Sequence, residues 1–169
     1  MSEDLNPLLD AMAQDLRDQF GDRIRDAAMI GIQRGGVWIA QALHERLGLD
    51  TPLGELNISF YRDDFSRIGM HPRVSPSHLP FGVEDRHLIL VDDVLYTGRT
   101  IRAALNEIFD FGRPASVTLA VLISRNEGRE LPIEAQVVGR QLSLSSDERV
   151  ELEGPDPLTF NIVTIGEPA

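Results

Sequence analysis

Nine consecutive residues, Asp92–Thr100 (DDVLYTGRT), place two carboxylates, two hydroxyls, a glycine and an arginine directly after the apolar run Leu88–Val91 (LILV). Thr97, Gly98, Arg99 and Thr100 stand where a helix would open. Two hydroxyls, a permissive glycine and successive backbone N–H groups at a helix N-terminus make an anion site that needs no lysine. Asp92 and Asp93 precede that loop. Carboxylates there are poor phosphate ligands and good acceptors for sugar hydroxyls. One ligand with a vicinal diol and a phosphate at its far end, a ribose 5-phosphate, satisfies both halves. The same composition also fits a strand-to-helix turn with surface acids and a capping Thr100. Neither a Walker A loop nor a dinucleotide-binding G-x-G-x-x-G pattern is present.

A second candidate is Gln33-Arg34-Gly35-Gly36, which follows the apolar run Ala28–Ile32. Arg34 could face an anion there or be a surface arginine on a turn. His44, His71, His78 and His87 are scattered and lack metal-ligand spacing. There is no cysteine, which excludes a disulfide framework, a thiolate zinc site and a cysteine nucleophile. All sixteen basic residues are arginine, so a Schiff-base lysine and a P-loop lysine are excluded too.

The chain has 169 residues, 42% of them hydrophobic, and a formal net charge of −11. That length suits one domain, and the apolar content excludes a disordered chain. Residues 1–30 carry seven acids and three bases, and residues 126–169 carry nine and three. The middle, 31–125, is nearly neutral, with eleven acids and ten bases. A globally acidic surface repels nucleic acid at long range, because phosphate contacts dominate that affinity. Anionic small molecules stay within reach where arginines converge, since guanidinium suits phosphate. No apolar run approaches the roughly 20 residues of a membrane helix, and the acidic start MSED is unlike a secretory signal. A cytoplasmic protein without membrane contact is expected.

Which elements could position these groups? Leu5, Leu8, Leu9, Met12, Leu16 and Phe20 recur at helical spacing, with Asn6-Pro7 as cap and first-turn pair. Ala28–Ile32 predicts a buried strand, and Val37, Ile39, Ala40, Leu43 and Leu47 a helix stopped by Gly48. Leu56–Tyr61 alternates like a strand. Residues 62–86 show little periodicity, and a loop that long is more often functional than accidental. Leu88–Val91 predicts a central parallel strand. Ile101–Phe111 predicts a helix with Ile101, Leu105, Ile108 and Phe109 on one face. Val117–Ile123, Ala135–Val138 and Phe160–Ile165 predict further strands. Trp38 is expected in the core or at an interface, and Glu151, Glu153 and Asp156 on a solvated acidic edge. Strands alternating with helices predict an α/β fold with a mainly parallel sheet, whose ligands bind beyond the strands' carboxyl ends.

The Asp92–Thr100 segment resembles the phosphoribosyl diphosphate (PRPP) signature of type I phosphoribosyltransferases. Four segments together resemble the PyrR family in particular: YRDD at Tyr61–Asp64, LILVDDVLYTGRT at Leu88–Thr100, FGRPASVTLAVLISR at Phe111–Arg125 and RELPI at Arg129–Ile133. Members of that family are pyrimidine-operon regulators and uracil phosphoribosyltransferases. The resemblance implies the type I phosphoribosyltransferase fold as a single domain over residues 1–169. Its parts would be a parallel sheet flanked by helices, a flexible flap at about 62–86 and a small hood mainly from about 126–169.

It further implies that Asp92 and Asp93 hold the ribose hydroxyls. Val94, Leu95, Tyr96, Thr97, Gly98, Arg99 and Thr100 would cradle the 5-phosphate. Arg34 and Gly35 would belong to the diphosphate loop, where a non-proline cis bond is frequent in the superfamily. The family's usual K-T-R-G is replaced here by Q-R-G-G, which resembles the version in other phosphoribosyltransferases. Arg62, Arg67 and Arg73 fall on the flap, with Arg67 and Arg73 as candidates to meet diphosphate or as solvated loop arginines. Arg125 falls on a substrate position and Val150 in the hood over the nucleobase. Magnesium is implied as a cofactor held mainly by PRPP and water, with no protein ligand assigned.

The implied partners are uracil, PRPP, UMP, further copies of the chain and a leader RNA. RNA is disfavoured by this sequence. The N-terminal segment DAMAQDLRDQFGDRIRDAA is acid-rich where the family is basic, and Asn126-Glu127-Gly128 adds an acid after Arg125. Two expectations therefore stand side by side: an active uracil transferase, and a UMP- or PRPP-sensing regulator with little catalysis. Among enzymes, a purine-specific transferase is the nearest rival.

Overall fold

The structure, a computed structural model, describes residues 3–58 and 77–164. Five strands, β2 (Ala28–Ile32), β3 (Gly54–Leu56), β4 (His87–Leu95), β5 (Ser116–Arg125) and β6 (Val137–Leu142), form one sheet. Its order is β3-β2-β4-β5-β6 and its pairings are parallel. β1 (Glu3–Asp4), β7 (Glu148–Glu153) and β8 (Thr159–Thr164) form a separate antiparallel sheet in the order β1-β8-β7.

Apolar side chains alternate across the central sheet with the period of two that a strand imposes. Met29, Ile89, Val91, Ala120 and Leu122 face one core, completed by α1 (Asn6–Phe20) and α2 (Gly35–Leu47). Ala28, Ile30, Leu88, Leu90, Leu119 and Val121 face the other, completed by α3 (Arg99–Phe111). Burial on both faces is why β2, β4 and β5 read as unbroken apolar runs.

The crossover from β2 through α2 leads to β3, and the one from β4 through α3 leads to β5, in the opposite direction along the sheet. Right-handed crossovers that run in opposite directions must place their helices on opposite faces. The strand order therefore reverses between β2 and β4. A crevice opens there beyond the carboxyl ends, between the loop before α2 and the loop before α3.

Several expectations change in detail. α1 starts at Asn6, but its entry is held by the Asp4 carboxylate, which accepts from the Asn6 N–H at 3.1 Å. The Asn6 side chain instead accepts from Arg46 Nη2 at 2.8 Å. β4 continues past Val91 to Leu95, so the acidic pair lies within the strand, two residues before its end. β6 begins two residues after the expected Ala135 and extends to Leu142. Phe160–Ile165 was expected beside the other strands, yet β8 pairs antiparallel with β1 and β7, outside the parallel sheet. A small sheet of the expected kind exists, but it draws β1 from the N-terminus, while β6 from the same C-terminal region joins the main sheet. Of Leu56–Tyr61, only Leu56 is in a strand among the described residues; 59–61 lie outside them. Trp38 is half-buried beneath the β7–β8 turn, at Gly154.

The buried face of α3 runs through Ile101, Ala104 and Ile108, while Phe109 is 58% exposed. One residue is about 100° of helical rotation, which carries Phe109 off a stripe centred on Ile108. Leu90→Ala, in the fully buried centre of β4, should lower unfolding free energy by about 2–5 kcal/mol. Phe109→Ser should change it by no more than about 0.5 kcal/mol. Urea denaturation of both variants checks the pair; a large loss at Phe109 would restore the expected face.

Candidate functional site

β2 delivers the chain into the crevice at Ile32. The Gln33 N–H donates to Leu56 O at 2.9 Å, and Gln33 Nε2 donates to Glu55 Oε1 at 3.2 Å, which anchors the turn to β3. The Gln33–Arg34 peptide bond is cis. Arg34 itself is exposed, and its carbonyl accepts the Val37 and Trp38 N–H groups as α2 begins.

Gly35 and Gly36 bring backbone against the acidic pair. A Cβ on Gly35 would overlap Asp93 Oδ2. One on Gly36 would stand 2.7 Å from Val91 O and 3.2 Å from Asp92 Oδ1. The two loops of the crevice are thus packed backbone to carboxylate, an approach open only to residues without a side chain. Asp92 is 5% exposed and Asp93 half-buried. Each carboxylate is oriented by the following backbone amide: Asp92 Oδ1 accepts from the Asp93 N–H and Asp93 Oδ1 from the Val94 N–H, both at 2.8 Å.

Beyond Leu95 the chain turns into α3. Gly98 occupies the helix cap with φ +96°, a left-handed conformation that suits glycine. The first turn of α3 holds no acidic residue, and the cap supplies no side-chain hydrogen bond to it. Its N-terminal N–H groups and the helix dipole therefore favour an anion. Thr97 Oγ1 accepts from the Arg99 N–H at 3.1 Å, and Thr97 O accepts from the Glu130 and Leu131 N–H groups at 2.9 and 3.2 Å. The RELPI segment is the back wall of this loop, with Leu131 and Ile133 beneath Gly98. The Arg99–Glu130 ion pair, at 2.7 Å, is well exposed and adds little stability.

Arg125, at the end of β5, is 5% exposed, and its guanidinium lies 3.8 Å from the centroid of the Tyr96 ring. Val150 lies in β7 opposite Ile162, half-buried, and packs on the core shared by α1 and α2. Arg129, for which sequence reasoning named no role, donates to Tyr96 O and to Ser124 Oγ. Its only signal in the sequence is its place at the head of RELPI. YRDD and the flap arginines Arg62, Arg67 and Arg73 lie outside the described residues. His44 and His87 are engaged structurally, with Thr51 O and Ser116 Oγ.

Among the described residues no group of three or more His, Asp or Glu side chains could enclose a metal. Two neighbouring carboxylates at the crevice suit magnesium as it is usually held, by a few protein oxygens with water and phosphate oxygens.

Residues 2–157 match the family model of the phosphoribosyl transferase domain. A bifunctional protein PyrR of Nitrosococcus oceani is 59% identical over 165 residues, covering 96% of this chain and 93% of the relative. One of Pseudomonas entomophila is 60% identical over 154 residues, covering 90% and 89%. This chain belongs to the PyrR family of phosphoribosyltransferases. Among solved structures, a hypoxanthine-guanine phosphoribosyltransferase of Bacillus anthracis superposes with a TM-score of 0.68 at 18% identity, covering 87% of this chain and 82% of the other. A hypoxanthine phosphoribosyltransferase of Staphylococcus aureus gives 0.66 at 18%, covering 87% and 76%. At these identities the likeness carries the fold: the central sheet and its helices are those of type I phosphoribosyltransferases. No helix among the described residues is long and apolar enough to cross a membrane.

The two crevice glycines of this PyrR-family chain should respond differently to a methyl group. Gly36→Ala meets backbone at Val91 and should cost about 1–3 kcal/mol of stability. Gly35→Ala meets the side chain of Asp93, whose displacement gives up the bond from the Val94 N–H, and should cost about 1 kcal/mol, less than Gly36→Ala. Paired denaturant titrations measure the difference, and equal losses would contradict the geometry.

Proposed function

We propose that the chain transfers the phosphoribosyl group of PRPP to uracil, giving UMP and diphosphate, as part of a pyrimidine-responsive regulator. The observation that carries this reading is the packing of the Gly35-Gly36 backbone against Asp92 and Asp93 at the sheet's switch point, with an acid-free helix N-terminus beside it. The family relationship supports it, since the curated relatives bear the name bifunctional protein PyrR.

In this reading a uracil ring nitrogen bonds to the anomeric carbon, the carbon–oxygen bond to diphosphate breaks, and its electron pair leaves on the diphosphate. The nitrogen's proton is released. Asp92 and Asp93 accept from the ribose hydroxyls and place negative charge beside a carbon that becomes oxocarbenium-like. Residues 94–100 hold the 5-phosphate through backbone N–H groups and the Thr97 and Thr100 hydroxyls. Arg34 and the amides at Gly35 meet the diphosphate, joined by the flap arginines Arg62, Arg67 and Arg73. Val150 belongs to the hood over the base. Magnesium, when bound near Asp92 and Asp93, would offset diphosphate charge that a lysine-free chain offsets only in part.

Purified protein with PRPP, magnesium and one of uracil, hypoxanthine, guanine or adenine tests the reaction. UMP from uracil alone is the expected result. A purine nucleotide would transfer the reading to a purine enzyme, and no product from a protein that binds PRPP would favour a sensor. The Asp92→Asn, Asp93→Asn double variant should lower kcat/KM on the order of 10²–10³-fold, the scale for removing preorganised electrostatic stabilisation.

RNA binding is proposed to be weak. Asp10 and Asp18 are exposed along α1, and Asp15 is half-buried there. Asp10 is paired with Arg46 at 2.7 Å, whereas Asp15 and Asp18 are bonded only to the neutral amides of Gln19 and Gln14, which leave their charge in place. Salt-sensitive binding of a pyrimidine-operon leader at sub-micromolar protein would refute this. We also propose a cytoplasmic setting and association into a homo-oligomer, the latter measurable by sedimentation.

A further inference from the structure

The ring of Tyr96 stands between two parts of the molecule that are far apart in sequence. Its backbone belongs to the short loop between the end of β4 at Leu95 and the start of α3. Against its face lies the Arg125 guanidinium, 3.8 Å from the ring centroid. Arg125 Nη1 donates to Glu148 O at 3.0 Å and Nη2 to Ser145 O at 2.9 Å, the two ends of the turn that opens β7. Both terminal nitrogens are therefore directed at the protein backbone, and the side chain is 5% exposed.

Two further features hold the ring in place. Gly128 has φ +92°, and a Cβ on it would overlap Tyr96 Cε1, so only glycine can bring the chain this close. Arg129 ties Tyr96 O to Ser124 Oγ, next to Arg125. The cost of this arrangement is visible. Arg125 Nε and Arg129 Nε are buried with no hydrogen-bond partner among the described residues. Unpaired buried donors are expensive, and an apolar pair would fill the space with less penalty. What a planar, forked cation adds is a fixed geometry: one face for the ring and two parallel donors for the turn.

We infer that Arg125 and Tyr96 form a positioning pair that couples the loop for the ribose phosphate to the turn Ser145–Glu148, and so sets how well the base is selected once the phosphate is seated. This rests on the reading of the site given under Proposed function. Arg125 acts through the turn and needs no contact with substrate.

The test uses Tyr96→Leu, Arg125→Lys and their double variant in the full chain, with Tyr96→Phe as the variant that keeps the ring. Hydrogen exchange of the ligand-free protein is followed at amides 143–150. Loss of the contact between the buried Arg125 guanidinium and the Tyr96 ring, which is 36% exposed, should speed exchange there about threefold to tenfold in Tyr96→Leu, although residue 96 lies some 50 residues away, and leave Tyr96→Phe unchanged. In steady-state kinetics with PRPP, magnesium and uracil, each single variant should raise KM for uracil about tenfold more than KM for PRPP, and the double variant no further. Unchanged exchange at 143–150 in Tyr96→Leu would overturn the coupling. So would a uracil KM that rises with Arg125→Lys but not with Tyr96→Leu, which is the pattern of a direct contact between Arg125 and the base. If the unmodified protein makes no nucleotide with any base, the proposed reaction falls, and the exchange measurement alone decides the coupling. If either single variant fails to fold, the other carries both arms.

Discussion

The close approach of one backbone to one pair of carboxylates organises this molecule. Gly35 and Gly36 lie where any side chain would collide with Asp93, Asp92 or the carbonyl of Val91. That contact can exist only because β2 and β4 are adjacent while their crossovers diverge. The helices that follow them must pack on opposite faces of the sheet, so neither helix fills the space between the two loops. The hydrophobic alternation of β2, β4 and β5 sets the register that puts Gly31 opposite Val91, four residues before the end of β4. A shift of one residue would turn every core side chain to the wrong face, so the register of the core also sets the register of the crevice.

Electrostatics in the crevice are built with few charged side chains. The chain has no lysine and a net charge of −11, yet the site reads as one for an anionic ligand. Backbone supplies what the side chains do not. The start of α3, free of acids in its first turn and with only the Arg99 N–H taken up by the Thr97 hydroxyl, presents N–H groups with the positive end of its dipole. Such donors are fixed by the fold and lose no side-chain entropy when a ligand arrives. The same economy governs the carboxylates, each aimed by the next amide along the strand. The acidic surface of α1 then acts at longer range, against a polyanion rather than against a small ligand.

Part of this was legible in order along the chain. Local rules suffice where an element depends on its own residues: the AMIGI strand, the stop at Gly48 with φ +61°, the turn of α3 at Gly98. Legibility failed where a distant residue decides. The Asn6 side chain is taken from the helix start by Arg46, forty residues on, and Phe109 leaves the buried stripe because the sheet beneath α3 meets Ile108. β6 and β8 both read as strands, and only the neighbours β1 and β7 place β8 in a different sheet. Arg129 gives no sign of its task, because its partners Tyr96 and Ser124 come from two other elements.

By itself the sequence determined the chemistry that could occur: an α/β chain without cysteine or lysine, with a diol-and-phosphate motif at a strand end and the segments of the PyrR family in order. Those are properties of residue type and spacing, carried by local backbone preference and hydrophobic period. The tertiary structure alone decided that the acidic pair faces the Gly35-Gly36 backbone, that RELPI walls the turn between β4 and α3, and that Arg125 joins Tyr96 to the turn before β7. Each of these is a contact between residues tens of positions apart, and such contacts exist only after the sheet order and the handedness of its crossovers have brought the elements together.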